Sequence, residues 1–184
     1  FSIKYEIYNS VIGALHIRFC YGLNGDNLLS PTELVSLYKI SGIEFMRLFE
    51  PLADVVEALR VSQLVVSIGT RKEDLENLAS IQDVANSWVN TNIVPYKDDV
   101  SFKWITLGNE VILGPYASYV ASALENIYNA LQSIGLSKVK VTTLVPRSSL
   151  ATSNPLLVGV FASDVSIVMN DVASFFARIG SVRN

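Results

Sequence analysis

One carboxylate follows an apolar stretch of the kind that forms buried parallel strands. Glu110 comes after the stretch Trp104–Leu107 and the pair Gly108–Asn109. Ligands of parallel α/β proteins bind at the carboxyl ends of the strands. A carboxylate there can have its pKa raised by desolvation and can then act as a proton donor near neutral pH. Glu110 is therefore a candidate catalytic acid, although many strand-end carboxylates only cap a loop or pair with a cation.

Arg47 and two aromatic residues lie near the ends of other predicted strands. Arg47 is expected to point toward the same face as Glu110, where by itself it would form an ion pair. Tyr21 and Phe49 have the flat apolar rings that stack on sugars, although most aromatic residues at such positions simply pack. Trp104 is a third ring of this kind. Carbohydrate stacking is one interpretation of these rings, and core packing is the other.

Other kinds of site have less support. His16 is the only histidine and lies at the start of its predicted strand, which favours a structural role over a catalytic triad. Cys20 has no neighbouring base and is expected to be a small buried residue. Asp98–Asp99 fall in a polar turn on the opposite face. The chain has no Cys/His cluster with zinc spacing and no dinucleotide or P-loop motif, so neither a metal nor a cofactor is expected.

Strand and helix patterns alternate along the chain. Periodicity predicts five buried strands, at Leu15–Cys20, Phe45–Phe49, Leu64–Ile68, Trp104–Leu107 and Val139–Leu144. A helical stripe follows each of them, over Leu75–Val89 after the third strand and over Asp164–Ile179 after the last. Ser30 before Pro31 predicts a helix start, and Gly135 predicts a helix end. This α/β order implies parallel pairing in either a doubly wound sheet or a barrel, and periodicity alone does not choose between them.

Composition excludes two classes of partner. The chain has 184 residues and a net charge of −3, and its fourteen Lys and Arg are scattered, so nucleic acid is not expected to bind. Mean hydropathy is +0.36, but no apolar run approaches the roughly 20 residues that span a bilayer. We expect one domain over residues 1–184, with residues 1–13 as an N-terminal extension of unknown role. The oligomeric state stays open.

Five segments carry a resemblance to a known family. They are Cys20-Tyr21-Gly22, Asn27-Leu28-Leu29-Ser30, Met46-Arg47-Leu48, Gly108-Asn109-Glu110-Val111 and Asn126-Ile127-Tyr128-Asn129-Ala130. From about His16 to its end, the chain resembles plant endo-1,3-β-glucanases of glycoside hydrolase family 17. The Gly-Asn-Glu-Val segment is the most specific of these matches.

The resemblance implies a fold, a reaction and a set of roles. The fold would be a (β/α)8 TIM barrel, of which about five βα units are present. The reaction would be the retaining hydrolysis of internal β-1,3-glucan linkages by secreted or vacuolar plant proteins. By this resemblance Glu110 is the acid/base, Asn109 contacts a substrate hydroxyl, and Arg47 helps to hold the nucleophile. Tyr21 and Phe49 fall at positions that line the cleft.

Departures from the family pattern are equally informative. The usual Arg-x-Tyr-Asp is Arg47-Leu48-Phe49-Glu50, and the loop after the fifth strand reads Ser153-Asn154-Pro155-Leu156, which lacks an aromatic residue of the family. A retaining glycosidase needs two carboxyl groups about 5 to 5.5 Å apart. The family takes its nucleophile from a Glu-Ser/Thr-Gly-Trp-Pro segment, and these 184 residues contain none. We therefore expect the chain alone to be weak or inactive, and the alternative is a non-catalytic, lectin-like β-glucan-binding defence protein.

Overall fold

The computed structural model describes residues 5–9, 15–22, 26, 28–152 and 160–180. The strands are β1 Tyr5–Asn9, β2 Leu15–Tyr21, β3 Phe45–Leu48, β4 Val65–Gly69, β5 Ser101–Leu107, β6 Lys140–Thr143, β7 Leu150–Thr152 and β8 Val160–Phe161. The helices are α1 Pro31–Ile40, α2 Ala53–Ala58, α3 Leu75–Ser80, α4 Gln82–Asn92, α5 Val120–Ser133 and α6 Ser166–Arg178. Each of the five predicted strands is present, with ends that differ from the prediction by up to three residues.

Strand order decides between the two architectures that the sequence left open. The main sheet runs β1-β2-β3-β4-β5-β6, and β2 to β6 are parallel neighbours in chain order. A doubly wound sheet reverses direction at a switch point, whereas strands added one after another on the same side put every crossover helix on one face. The expected fold class is confirmed, because the parallel sheet with its helices matches part of a (β/α) barrel.

Burial shows the same one-sided arrangement. Burial alternates residue by residue in β3, and in β4 as far as Ile68; Met46, Leu48, Val66 and Ile68 are at most 1% exposed. Because neighbouring side chains of a strand point to opposite faces, these residues lie on the face that the helices cover. The other face carries half-buried residues. That second face corresponds to the interior of a barrel.

A helix break between β4 and β5 departs from the sequence prediction. The apolar stripe from Leu75 to Val89 predicted one helix, but α3 ends at Ser80 and α4 begins at Gln82. The Asn126 side chain of α5 donates hydrogen bonds of 2.8 and 2.9 Å to the carbonyls of Leu78 and Ala79. A continuous helix would use those carbonyls itself. A contact from a distant helix therefore ends α3, and local periodicity does not reveal it.

Two helix ends follow the sequence closely. The Ser30 hydroxyl and the Glu33 carboxylate form the reciprocal capping box that starts α1. These bonds lower the pKa of Glu33, because the ionised carboxylate accepts from the Ser30 hydroxyl and backbone amide. After α5 the chain turns at Gly135, whose φ of +76° is the left-handed conformation typical of a helix stop.

Strand β1 was not predicted. It lies within the N-terminal extension, 1–13, and pairs antiparallel with β2, Tyr5 opposite Phe19 and Asn9 opposite Leu15. The remainder of that extension lies outside the described residues. Among the described residues, no helix is both long and apolar enough to cross a membrane.

Candidate functional site

The backbone at Glu110 is strained. Glu110 follows the end of β5 and has φ 54° and ψ 37°, a left-handed conformation that non-glycine residues seldom adopt. Such conformations cost of order 1–3 kcal/mol and cluster at active sites and ligand clamps. The side chain is exposed, so the described residues do not supply the burial that a strand-end acid was expected to have. The turn presents this carboxylate to solvent at the carboxyl edge of the sheet.

Gly108 makes this turn possible. It has φ +64°, and a Cβ atom placed on it would lie 2.9 and 3.0 Å from Val111 methyl carbons and 3.1 Å from a Leu75 methyl carbon. Only glycine combines a left-handed φ with this close approach. The glycine of the Gly-Asn-Glu-Val segment is therefore required by the backbone that positions Glu110.

Asn109 and Arg47 come together from positions 62 residues apart. Arg47 Nη2 donates a 2.9 Å hydrogen bond to Asn109 Oδ1. The guanidinium carbon of Arg47 also lies 4.8 Å from the centroid of the Phe49 ring, which places the cation over the aromatic face. Three of the residues singled out from the sequence thus form one contact group beside Glu110. The bond to Asn109 was not predicted, because it joins strand ends that only the fold brings together.

A close backbone approach positions the end of β3 against β4. A Cβ atom on Gly69 would lie 2.2 Å from the carbonyl oxygen of Phe49, so the residue must be glycine. Glu50, which replaces the shorter aspartate of the family pattern, lies 3.6 Å from Arg71 as an ion pair. Both side chains of this pair are more than a third exposed, so the pair contributes little to stability. The longer carboxylate therefore lies beside Arg71, two residues past the end of β4.

Hydroxyl groups hold the end of β5 from both sides. The Gly108 amide donates to Thr70 Oγ1 at 3.1 Å, and Thr143 Oγ1 donates to the Leu107 carbonyl at 2.9 Å. One strand position earlier, Ser67 Oγ and Thr106 Oγ1 are 3.0 Å apart. We call Thr70, Leu107, Gly108 and Thr143 the strand-end clamp. These contacts were not predicted from the sequence, although threonines just after β4 and at the end of β6 were the available signal.

The predicted aromatic residues have different surroundings. Phe49 is half-buried under Arg47. Tyr21 is half-buried against the core and lies near Tyr38, whose pKa is raised mainly by burial and also by Cys20 and Tyr21. Trp104 is the fourth residue of β5, and its ring lies 6.4 Å from that of Phe45. Its stacking on a sugar stays a prediction.

The weaker candidates stay apart from this group. Cys20 is 5% exposed, as expected of a core residue. Asp99 binds Arg60 in the turn before β5, and Asp98 pairs with Lys97. His16 is the second residue of β2, at the end opposite the site. The described residues contain no group of three or more potential metal ligands. The loop segment Ser153–Leu156 lies outside the described residues.

Comparison with known proteins places this geometry in a family. Residues 17–182 match the model of glycosyl hydrolases family 17. The chain belongs to this family. It is 40% identical over 175 residues to a glucan endo-1,3-beta-glucosidase of Vitis vinifera, and the aligned region covers 92% of the chain and 51% of that relative. It is 42% identical over 161 residues to a putative glucan endo-1,3-beta-glucosidase GVI of Hordeum vulgare, covering 88% of the chain and 50% of the relative.

Solved family 17 structures agree with the fold. One, described as a plant beta-glucan endohydrolase, has a TM-score of 0.83 and 35% identity, covering 88% of this chain and 52% of that chain. A beta-1,3-glucanase and pollen allergen of Cryptomeria japonica has a TM-score of 0.83, 38% identity and the same coverage. The chain therefore spans about half the length of the relatives that it matches. Its contact group at Glu110 lies within the matched family segment.

Proposed function

We propose that this chain forms the acid/base side of a β-1,3-glucan site, with Glu110 as the proton donor. The observation that carries the proposal is the strained left-handed turn that presents Glu110 beside the bonded pair Arg47 and Asn109. Family 17 membership supports the substrate class, since the matched relatives are named for β-1,3-glucan. The proposed reaction uses no metal and no cofactor.

Each side chain has a distinct part in the proposed reaction. Glu110 protonates the leaving glycosidic oxygen and afterwards takes a proton from the attacking water, as retaining glycosidases require. Asn109 is held by Arg47 through its Oδ1, so its amide Nδ2 is the part left to donate to a substrate hydroxyl. The Phe49 ring packs against the Arg47 guanidinium and helps to hold it in place. A bound glucan would also cover the exposed Glu110 and supply the drier surroundings in which an acid works best.

The proposed chemistry lacks its second carboxylate within these 184 residues. No Glu-Ser/Thr-Gly-Trp-Pro segment occurs in them. We therefore propose that protein of this exact sequence binds β-1,3-glucan but turns it over weakly or not at all. A secreted or vacuolar location is part of the same proposal.

Binding and turnover can be tested separately. Protein whose intact mass matches the 184-residue sequence is titrated with laminarihexaose and assayed for release of reducing sugar from laminarin. We expect binding with little release, and binding that persists in Glu110→Gln. The matched control is Glu125→Gln, which changes a carboxylate on α5 that pairs with Arg178. Rapid laminarin hydrolysis by the 184-residue protein would contradict the proposed inactivity.

The role of Glu110 is tested where a nucleophile is present. In a chimaera, the second half of the grape relative follows residue 180 of this chain and supplies a complete barrel. Losing a general acid/base lowers turnover by about 10²–10⁴-fold, so Glu110→Gln should reduce laminarin hydrolysis by that factor while Glu125→Gln leaves it unchanged. A Glu110→Gln chimaera with undiminished turnover would exclude Glu110 as the proton donor. Glucan binding without turnover in the unsubstituted chimaera would favour the lectin-like alternative.

A further inference from the structure

The buried Thr70 hydroxyl faces the turn that carries Glu110. Thr70 is 2% exposed, and its Oγ1 accepts the Gly108 amide at 3.1 Å. Gly108 is itself buried and has left β5 with φ +64°. A buried amide must find a partner, and one left without a partner costs free energy comparable to a lost hydrogen bond. The Thr70 hydroxyl provides that partner at the first residue of the turn.

Thr70 is itself fixed in place. Its backbone amide donates a 2.9 Å hydrogen bond to the Thr106 carbonyl of β5. The end of β4 therefore holds β5 twice, through Thr106 before the turn and Gly108 within it. On the other side Thr143 of β6 donates to the Leu107 carbonyl. The start of the turn is thus held by both neighbouring strands, and the left-handed Glu110 follows two residues later.

We propose that Thr70 is a positioning residue for Glu110, acting through the Gly108 amide. The inference rests on the proposed function of Glu110 and extends it to a residue that contacts neither substrate nor carboxylate. The Gly108–Thr70 bond fixes where the turn leaves the strand. That point sets the position of Asn109, which bonds Arg47, and of the strained Glu110 backbone. Without the bond, one restraint that keeps the Glu110 backbone in its strained conformation is lost.

The test compares two substitutions that differ by the hydroxyl. Thr70→Val keeps the volume and removes the acceptor, whereas Thr70→Ser keeps the acceptor. Thr142→Val is the control, because Thr142 is a half-buried β6 threonine whose hydroxyl donates to the Thr143 carbonyl and not to the turn. Amide hydrogen exchange of Gly108 should be about tenfold faster in Thr70→Val, the equivalent of one ordinary hydrogen bond. It should be close to the original rate in Thr70→Ser and Thr142→Val.

Two further readouts separate positioning from a purely structural role. The three-bond coupling between the amide and α protons of Glu110 reports its φ, and it should change in Thr70→Val alone. Laminarihexaose affinity of the folded protein should fall about tenfold in Thr70→Val and recover in Thr70→Ser. Uniformly faster exchange at all core amides, Ile105 included, with an unchanged Glu110 coupling would overturn the proposal.

The proposed function and this inference fail in different ways. If the unsubstituted protein binds no laminarihexaose, the glucan site is excluded, while Gly108 exchange and Glu110 coupling still decide whether Thr70 sets the turn. If glucan binds but Thr70→Val changes neither the exchange, the coupling nor the affinity, Thr70 has no positioning role and the glucan site stands.

Discussion

Gly108→Ala should be markedly destabilising, for two reasons that can be measured separately. An L-residue at a left-handed φ costs roughly 1–2 kcal/mol. The new Cβ would also lie 2.9–3.1 Å from methyl carbons of Val111 and Leu75. These side chains are 6% and 0% exposed and so have little room to move. Forcing an extra methyl group into a packed core costs typically about 1–3 kcal/mol.

A second glycine isolates the two contributions. Gly42 has φ +65°, almost the same as Gly108, but a Cβ atom there would meet nothing within 4 Å. Gly42→Ala therefore carries the backbone cost alone, reduced by the roughly 0.4–1 kcal/mol gained from a stiffer unfolded chain. Gly108→Ala should be the less stable of the two variants by about 1–3 kcal/mol, which is the crowding contribution.

Urea unfolding at equilibrium measures the difference. The urea concentration at the midpoint should fall, while the slope of the free energy of unfolding against urea concentration stays constant. The substitution changes stability but leaves the surface exposed on unfolding unchanged. Gly135→Ala provides a second open site, with φ +76° and nothing within 4 Å of its Cβ position. If Gly108→Ala lies within about 0.5 kcal/mol of both open-site variants, a difference typical of neutral surface changes, the predicted crowding by Val111 and Leu75 is refuted.

Two further predictions concern exposed positions. Val61 has φ 51° although it is β-branched and 79% exposed. Val61→Gly should raise the midpoint of urea unfolding, because it relieves roughly 1–2 kcal/mol of left-handed strain, partly offset by the greater freedom of glycine in the unfolded chain. A lower midpoint would contradict strain at Val61. Ser30→Ala removes the cap of α1 and should destabilise by about 1 kcal/mol near neutral pH. The bonds from Ser30 lower the pKa of Glu33. Their contribution to the free energy of unfolding is therefore present above the ordinary pKa of 4.5 and is lost as the pH falls through the lower pKa of the folded protein. The difference in free energy of unfolding between the original protein and Ser30→Ala should therefore become smaller in acid. If the effect of Ser30→Ala becomes smaller to the same extent in protein that already carries Glu33→Gln, Glu33 is excluded as the cause.

The position of Glu110 could be predicted, but its conformation could not. An apolar stretch followed by a polar pair is a local pattern, and it correctly indicated a strand that ends just before the carboxylate. The left-handed Glu110 follows a turn at Gly108, whose amide is bonded to Thr70, 38 residues away along the chain. Such long-range contacts leave no periodicity to detect.

Errors in the predicted elements have the same origin. The break at Ile81 depends on Asn126, a residue of another helix whose amide binds the carbonyls at the end of α3. For β1 a local signal did exist, because Tyr5 and Ile7 alternate with Glu6 as strand residues do. Its pairing partner, however, depends on the folded sheet, in which the other edge of β2 pairs with β3.

We propose that β-1,3-glucan binds at the carboxyl ends of β3 and β5, beside Glu110. The most direct measurement is an NMR titration of the 184-residue protein with laminarihexaose, with cellohexaose as the β-1,4-linked control. We predict shifts in the backbone amides of Arg47, Asn109 and Glu110 that saturate with laminarihexaose and are much weaker with cellohexaose. Asp99, in the turn at the opposite end of β5, should not shift. Saturating shifts confined to other surfaces, or none at all, would contradict a glucan site beside Glu110.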